Sequence, residues 1–279
     1  MPKAIDFHIH PPKEPGTPPT RFHTAMAKYF KSPPELTLEE LASKYKELDF
    51  MAVVLANDDR TAQGDAWDSN DWVASISRRY PDTFIGFGSV DPWMGKLAVK
   101  EVERAGKELG MKGIKFIPMT QEFYPNERRF YPIYEKIAEL GMVAMFHTGT
   151  TGVGAGLPGG GGVHLKYTKP IPYIDDVAAD LPELTIIMAH QAFPWVEEQL
   201  AVLVHKPNVY MDISGWSPKY FNPLLIQYAN TLIKHKVLFG SDYPALTPER
   251  WIRDFEAAPF WDEARPLILL ENAKKVLGM

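Results

Sequence analysis

The 279-residue sequence contains no cysteine. Disulfides, thiol nucleophiles and cysteine-ligated zinc are thereby excluded. It also lacks any block of like charge: 30 Lys and Arg stand against 35 Asp and Glu, a net charge of −5. A nucleic-acid surface and a polybasic membrane anchor are therefore not expected. No apolar run approaches the roughly 20 residues of a membrane span. The opening Met-Pro-Lys-Ala-Ile-Asp has no apolar leader core, so a soluble, cytoplasmic protein is expected. What is abundant is apolar side chain, 45% of the residues, enough for a large core with aromatics to spare for lining a pocket.

Short apolar runs alternate with helical patterns throughout. Strands are predicted at residues 4–8, 50–56, 83–90, 113–117, 143–147, 185–189, 209–213 and 237–240. Helices are predicted between them at 37–48, 70–80, 96–109, 130–140, 174–181, 194–205, 223–235 and 248–256, with a C-terminal helix at 262–277. The first opens on a capping box, Thr37 with Glu40 three residues on. Eight strands alternating with helices predict an α/β protein with a parallel sheet, and eight is the number that closes a (β/α)₈ TIM barrel. A doubly wound open sheet is the alternative. No linker or internal repeat interrupts the pattern, so residues 1–279 are expected to form one barrel domain. The irregular stretches follow strands: 11–34, 57–69 and the longest, 148–173. This last contains four consecutive glycines, Gly159 to Gly162, and its length suggests a lid or binding loop.

The strand ends carry the chemistry. Asp6-Phe7-His8-Ile9-His10 alternates, which puts His8 and His10 on one face about 7 Å apart at Cα. The fifth strand ends in His147, the sixth in His190 and the eighth in Asp242. If the barrel closes, the first and last strands are neighbours and these residues converge at one rim. Imidazoles and a carboxylate without sulfur suit Zn²⁺ foremost, with Mn²⁺, Co²⁺ or Fe²⁺ as alternatives. Such an ion lowers the pKa of a bound water and supplies hydroxide near neutral pH. The other histidines, His23, His164, His205 and His235, read as surface or capping residues, with His164 the one in the long loop that could reach a substrate. Gly154-Ala155-Gly156-Leu157-Pro158-Gly159 matches the dinucleotide fingerprint in letters but starts seven residues past His147 and contains proline, so nucleotide binding is not expected.

Five motifs in order, Asp6–His10, Phe146-His147-Thr148-Gly149, Met188-Ala189-His190, Met211-Asp212-Ile213-Ser214-Gly215 and Leu238-Phe239-Gly240-Ser241-Asp242-Tyr243-Pro244, resemble the amidohydrolase-related metal-dependent hydrolases. The likeness is greatest to the branch with aminocarboxymuconate semialdehyde decarboxylase and lactone hydrolases. The resemblance implies a (β/α)₈ barrel in which His8, His10, His147 and Asp242 bind one divalent metal. It implies that His190 stands beside the metal-bound water as base or acid, and that Asp242 shuttles a proton to the leaving group. The reaction it implies is hydrolysis of a lactone, amide or related carbonyl in a small carboxylated or aromatic-derived substrate. Nonoxidative decarboxylation of an aromatic or muconate-type acid is the alternative. A homodimer is a further expectation.

Lys115, in the fourth strand, leaves three readings open: a buried salt-bridge partner, a cation for a substrate carboxylate, or a carboxylated lysine bridging two metals with His190 as a second-site ligand. One metal is favoured. Trp216 and Tyr243 should stand at the rim by position and contact substrate. Arg60, Arg128 and Arg129 lie in rim loops and could bind a carboxylate. Asp212 reads as a partner behind a ligand, or as a helix cap.

Overall fold

The structure, a computed structural model, describes residues 2–17, 20–30, 35–64 and 66–279, apart from the side chains of residues 21, 66 and 67. The predicted rim stretches 11–34 and 57–69 therefore lie partly outside the described residues. Eight strands form one sheet: β1 (Ala4–Ile9), β2 (Phe50–Leu55), β3 (Phe84–Ser89), β4 (Gly113–Phe116), β5 (Val143–His147), β6 (Thr185–Ala189), β7 (Val209–Asp212) and β8 (Val237–Leu238). All neighbours pair in parallel and in chain order.

The sheet closes on itself. Phe7 N donates to Phe239 O, Asp242 N to His8 O and His10 N to Tyr243 O, each at 2.8 Å. An isolated parallel bridge joins Ile9 to Tyr243. An open doubly wound sheet would reverse its strand order and keep two free edges. This is a (β/α)₈ barrel, as the alternation predicted. Among the described residues no helix is long and apolar enough to cross a membrane.

Strand parity sorts the core. Ile5, Phe7, Val53, Leu55, Phe87, Val143, Met145, Ile187, Ala189 and Leu238 fill the barrel interior. Their alternates, among them Ala52, Val54, Ile114, Phe116, Ala144, Phe146, Ile186 and Met188, pack beneath the helices. Parity thus turns Lys115 inward, between Ile114 and Phe116. In β1 the pairing with β2 shifts register between Asp6 and Ile9. Across that bulge the inward positions change from Ile5 and Phe7 to His8 and His10, an irregularity of the kind that re-aims side chains next to a site.

The predicted C-terminal helix runs from Ala264 to Leu277 but has a π-helical turn at Leu267–Glu271. Within that turn the Ile268 carbonyl accepts from Phe239 N at 2.8 Å, tying the helix to the short last strand. The helix predicted at 223–235 stops at Asn230. The rim also holds structure that the sequence reading missed: a helix at Arg21–Phe30 and a two-stranded hairpin of Asn57–Asp58 with Ala66–Asp68. The glycine run that looked loose has a partner in that helix. A β-carbon at Gly152 would lie 2.7 Å from the Phe30 ring, and one at Gly161 2.9 Å from Phe22. The long loop and the helix after β1 pack on each other.

Candidate metal centre

At the carboxyl ends of the strands, His8 Nε2 lies 3.5 Å and His10 Nε2 3.3 Å from the same oxygen, Asp242 Oδ1. These three ligating atoms all fall within 4.8 Å of one another. His8 is 1% exposed, whereas His10 and Asp242 keep 32% and 22% of their side-chain surface, so the cluster opens toward solvent on one side. His147 lies beside the cluster but not in it. Its ring packs 4.5 Å from that of His190, which in turn lies 4.7 Å from that of His8.

Hydrogen bonds behind the rings fix which nitrogens are free. Asp212 Oδ2 takes the Nδ1 proton of His8 at 3.0 Å, leaving the His8 Nε2 lone pair toward Asp242. His147 Nε2 donates to Thr150 O at 3.1 Å, which leaves its Nδ1 as the bare nitrogen. Bare imidazole nitrogen facing carboxylate oxygen is a repulsive arrangement unless a cation lies between. Lys115 Nζ, 3.2 Å from His8 Nε2, meets part of that demand. The donor set therefore fits a divalent ion held by His8, His10 and Asp242.

The electrostatics keep these groups in their ligating form. Burial first, then the Lys115 ammonium and the neighbouring imidazoles, hold His8 well below the ordinary histidine range. Burial, then Lys115, takes His147 down to about 3. Burial, then His147 and His8, does the same in direction for His190. All three are neutral at pH 7. Burial also lowers Lys115 to about 8, against the pull of Asp212 and Asp242. No carboxylate lies within 4.0 Å of its ammonium among the described residues, so Lys115 contacts an imidazole rather than a salt-bridge partner.

His190 and Asp242 have positive φ, 71° and 65°. Left-handed backbone is uncommon for residues other than glycine and costs about 1–2 kcal/mol. His190 follows directly on β6, and Asp242 lies four residues past β8, so both approach each other beyond the carboxyl ends of their strands. Gly215, at φ 74°, makes the approach possible: a β-carbon there would lie 2.9 Å from His190 Nδ1 and 3.2 Å from Asp242 Oδ2.

Asp212 is fully buried and accepts from His8 Nδ1, Ser214 N, Ser214 Oγ and His190 N. His8, His190 and Asp212 also form a compact group of donor atoms. His8 Nδ1 and both Asp212 oxygens are already committed to hydrogen bonds, and Asp212 serves as a hub behind the ligands. Ser214 and the Asp6 carboxylate were missed in the sequence. Asp6 accepts from Ser241 N and Tyr45 OH, both at 2.8 Å, and so ties β1 to the segment carrying Asp242. Both stood inside the sequence motifs, Asp6 in the first and Ser214 in the fourth, and that was the only signal for either role.

The substrate-side expectations fare unevenly. Arg60 is engaged bidentately by Asp58 at 2.7 and 2.9 Å. Arg128 pairs with Asp180 and Arg129 with Glu127, both at 3.0 Å. None of the three is a free cation. Tyr243 is only 4% exposed and its hydroxyl accepts from Leu36 N, so it packs rather than lines an open rim. Trp216 is half-buried against Phe193, rings 6.0 Å apart, and His164 is exposed on the long loop. His23, read as a surface residue, bonds Thr20 Oγ1 at 2.8 Å and is taken down to about 4 by burial and by Lys13 and His10. It borders the site. The Gly154–Gly159 run folds into tight turns, not into a strand-to-helix junction.

Comparison with known proteins agrees with this architecture. An uncharacterised TIM-barrel protein from Bordetella bronchiseptica matches with a TM-score of 0.78 at 23% identity, over 99% of this chain and 98% of that one. A manganese-bound 5-carboxyvanillate decarboxylase from Novosphingobium aromaticivorans matches at 0.69 and 19%, over 99% and 96%. A probable 2-pyrone-4,6-dicarboxylic acid hydrolase from Acinetobacter baumannii matches at 0.65 and 17%, over 99% and 100%. At these identities the likeness shows the fold. The amidohydrolase family profile, however, matches residues 5–279, and the chain belongs to the amidohydrolase family.

Proposed function

We propose that this protein is a metal-dependent hydrolase acting on a lactone, amide or related carbonyl of a small carboxylated or aromatic-derived substrate. His8, His10, His147 and Asp242 would hold the ion, with Zn²⁺ the best fit to three imidazoles and one carboxylate. The observation that carries the reading is the meeting of His8 Nε2, His10 Nε2 and Asp242 Oδ1, with His8 held in its ligating tautomer by Asp212. A bound ion would supply Lewis acidity and lower the pKa of a coordinated water.

The chain's own residues supply the rest. Asp242, partly exposed at the mouth, can take a proton from water and pass it to the leaving group. His190 is neutral and close enough to act as a second proton acceptor. Lys115 places positive charge at the floor of the site, where it balances the Asp212 and Asp242 carboxylates.

Nonoxidative decarboxylation is the second reading, favoured by the similarity to the Novosphingobium decarboxylase. Elemental analysis of protein purified without chelator, with a panel of lactones, amides and aromatic acids, separates the two. The hydrolase reading expects one equivalent of metal and ring opening or amide cleavage. Carbon dioxide release from aromatic acids, with no hydrolysis across the panel, would overturn it.

A further inference from the structure

Ser214 Oγ lies between two groups. It is 2.8 Å from His190 Nδ1, and it makes a short hydrogen bond to Asp212 Oδ1. Counting protons settles the direction of both. Asp212 Oδ1 already accepts from Ser214 N at 3.0 Å and His190 N at 3.3 Å, and Oδ2 accepts from His8 Nδ1 at 3.0 Å. Four donors converge on one carboxylate, which leaves no place for a proton of its own, so Asp212 is an acceptor only. The single hydroxyl proton of Ser214 must then go to Asp212. With that proton spent, Ser214 Oγ can only accept from His190, and the proton on the imidazole is therefore at Nδ1.

We propose that Ser214 is a positioning residue that holds His190 as its Nδ1–H tautomer, leaving Nε2 as the bare nitrogen. The same carboxylate does this directly for His8 and, through one serine, for His190. Both imidazoles are thus set to offer Nε2 lone pairs, one for a cation and one for a proton. Glycine makes room for the relay on two sides: a β-carbon at Gly240 would sit 2.8 Å from Ser214 Cβ, and one at Gly215 2.9 Å from His190 Nδ1.

The catalytic consequence rests on the hydrolase reading, although the tautomer does not. An imidazole whose Nδ1 proton is held by Ser214 offers Nε2 as a proton acceptor. That suits deprotonation of water in hydrolysis, whereas carbon protonation in a decarboxylation needs a donor at the outset.

The test is long-range ¹H–¹⁵N correlation on histidine-labelled protein, with and without added Zn²⁺. The His190 signals are assigned by their loss in His190→Gln. The expected spectrum shows His190 protonated at Nδ1 and bare at Nε2 in the metal-free protein. In Ser214→Ala the two tautomers should mix, and kcat should fall about tenfold or more with metal content unchanged. A wild-type His190 protonated at Nε2 would overturn the proposal, and so would a Ser214→Ala protein that keeps the Nδ1–H form. If that variant does not fold, the wild-type spectrum alone still decides. A protein that hydrolyses nothing would sink the hydrolase reading and leave the tautomer result standing.

Discussion

Replacing Asp212 by Asn changes a single atom type in a fully buried position, and its effect can be worked from the bonds. The carboxylate accepts from four donors, so the amide nitrogen of Asn has no neutral place to go. In one flip it faces the peptide N–H groups of Ser214 and His190. In the other it faces His8 Nδ1, which can accept only by moving its proton to Nε2. The second flip preserves more bonds, and it protonates the nitrogen meant for the metal. Hydrogen bonds to charged groups contribute about 1.5–3 kcal/mol each, so the metal-free protein should lose about 3 kcal/mol. At roughly 2–4 °C per kcal/mol for a chain of this size, Tm should fall by about 6–12 °C. Partners behind metal-bound histidines typically govern about 10–100-fold in affinity, or about 1.4–2.7 kcal/mol. Competition against a chromophoric chelator should therefore show Zn²⁺ affinity lowered by that factor. An Asp212→Asn protein binding Zn²⁺ within about twofold of wild type would refute the hub.

Two further outcomes are expected away from the metal. Asp59 is buried, and burial, foremost, raises it from 3.8 to about 7. Because the folded state holds this proton more tightly, its contribution is complete below pH 4 and is lost as pH rises toward 7. The rise corresponds to about 4 kcal/mol at most. Urea unfolding at pH 5 and pH 8 should show the wild type losing stability relative to Asp59→Asn, and parallel pH profiles would rule the effect out. Gly154→Ala would put a β-carbon 2.0 Å from the Gly160 carbonyl at a φ of 81°. Limited proteolysis within residues 148–173 should accelerate several-fold while Tm moves by less than about 3 °C; an unchanged cleavage rate would mean the turn tolerates the methyl.

The barrel was legible because eight short apolar runs alternate with helical patterns, and histidine at the ends of β1, β5 and β6 stands out against them. Barrel closure then brought Asp242, the carboxylate after the eighth run, to His8. Two kinds of feature stayed hidden. The Arg21–Phe30 helix has apolar residues at Phe22, Met26, Tyr29 and Phe30, a helical spacing masked by the prolines around it. The Ser214 relay depends on a serine two residues past a strand end, a common residue whose role exists only once β6 and β7 lie side by side. The rim arginines failed for a plainer reason. Arg60 and Arg129 each pair with a carboxylate two residues back in the chain, Asp58 and Glu127, and Arg128 with the distant Asp180.

The seam between β1 and β8 has a consequence for how the protein comes into being. The two sides of the metal cluster stand more than 230 positions apart in the chain, on the first strand and just past the last. A nascent polypeptide still missing its eighth strand can present His8 and His10 but not the carboxylate opposite. An ion gripped by all three would act as a clasp across the seam, binding the closed barrel and not the open one, so that metal supply would bear on completion of folding as well as on turnover.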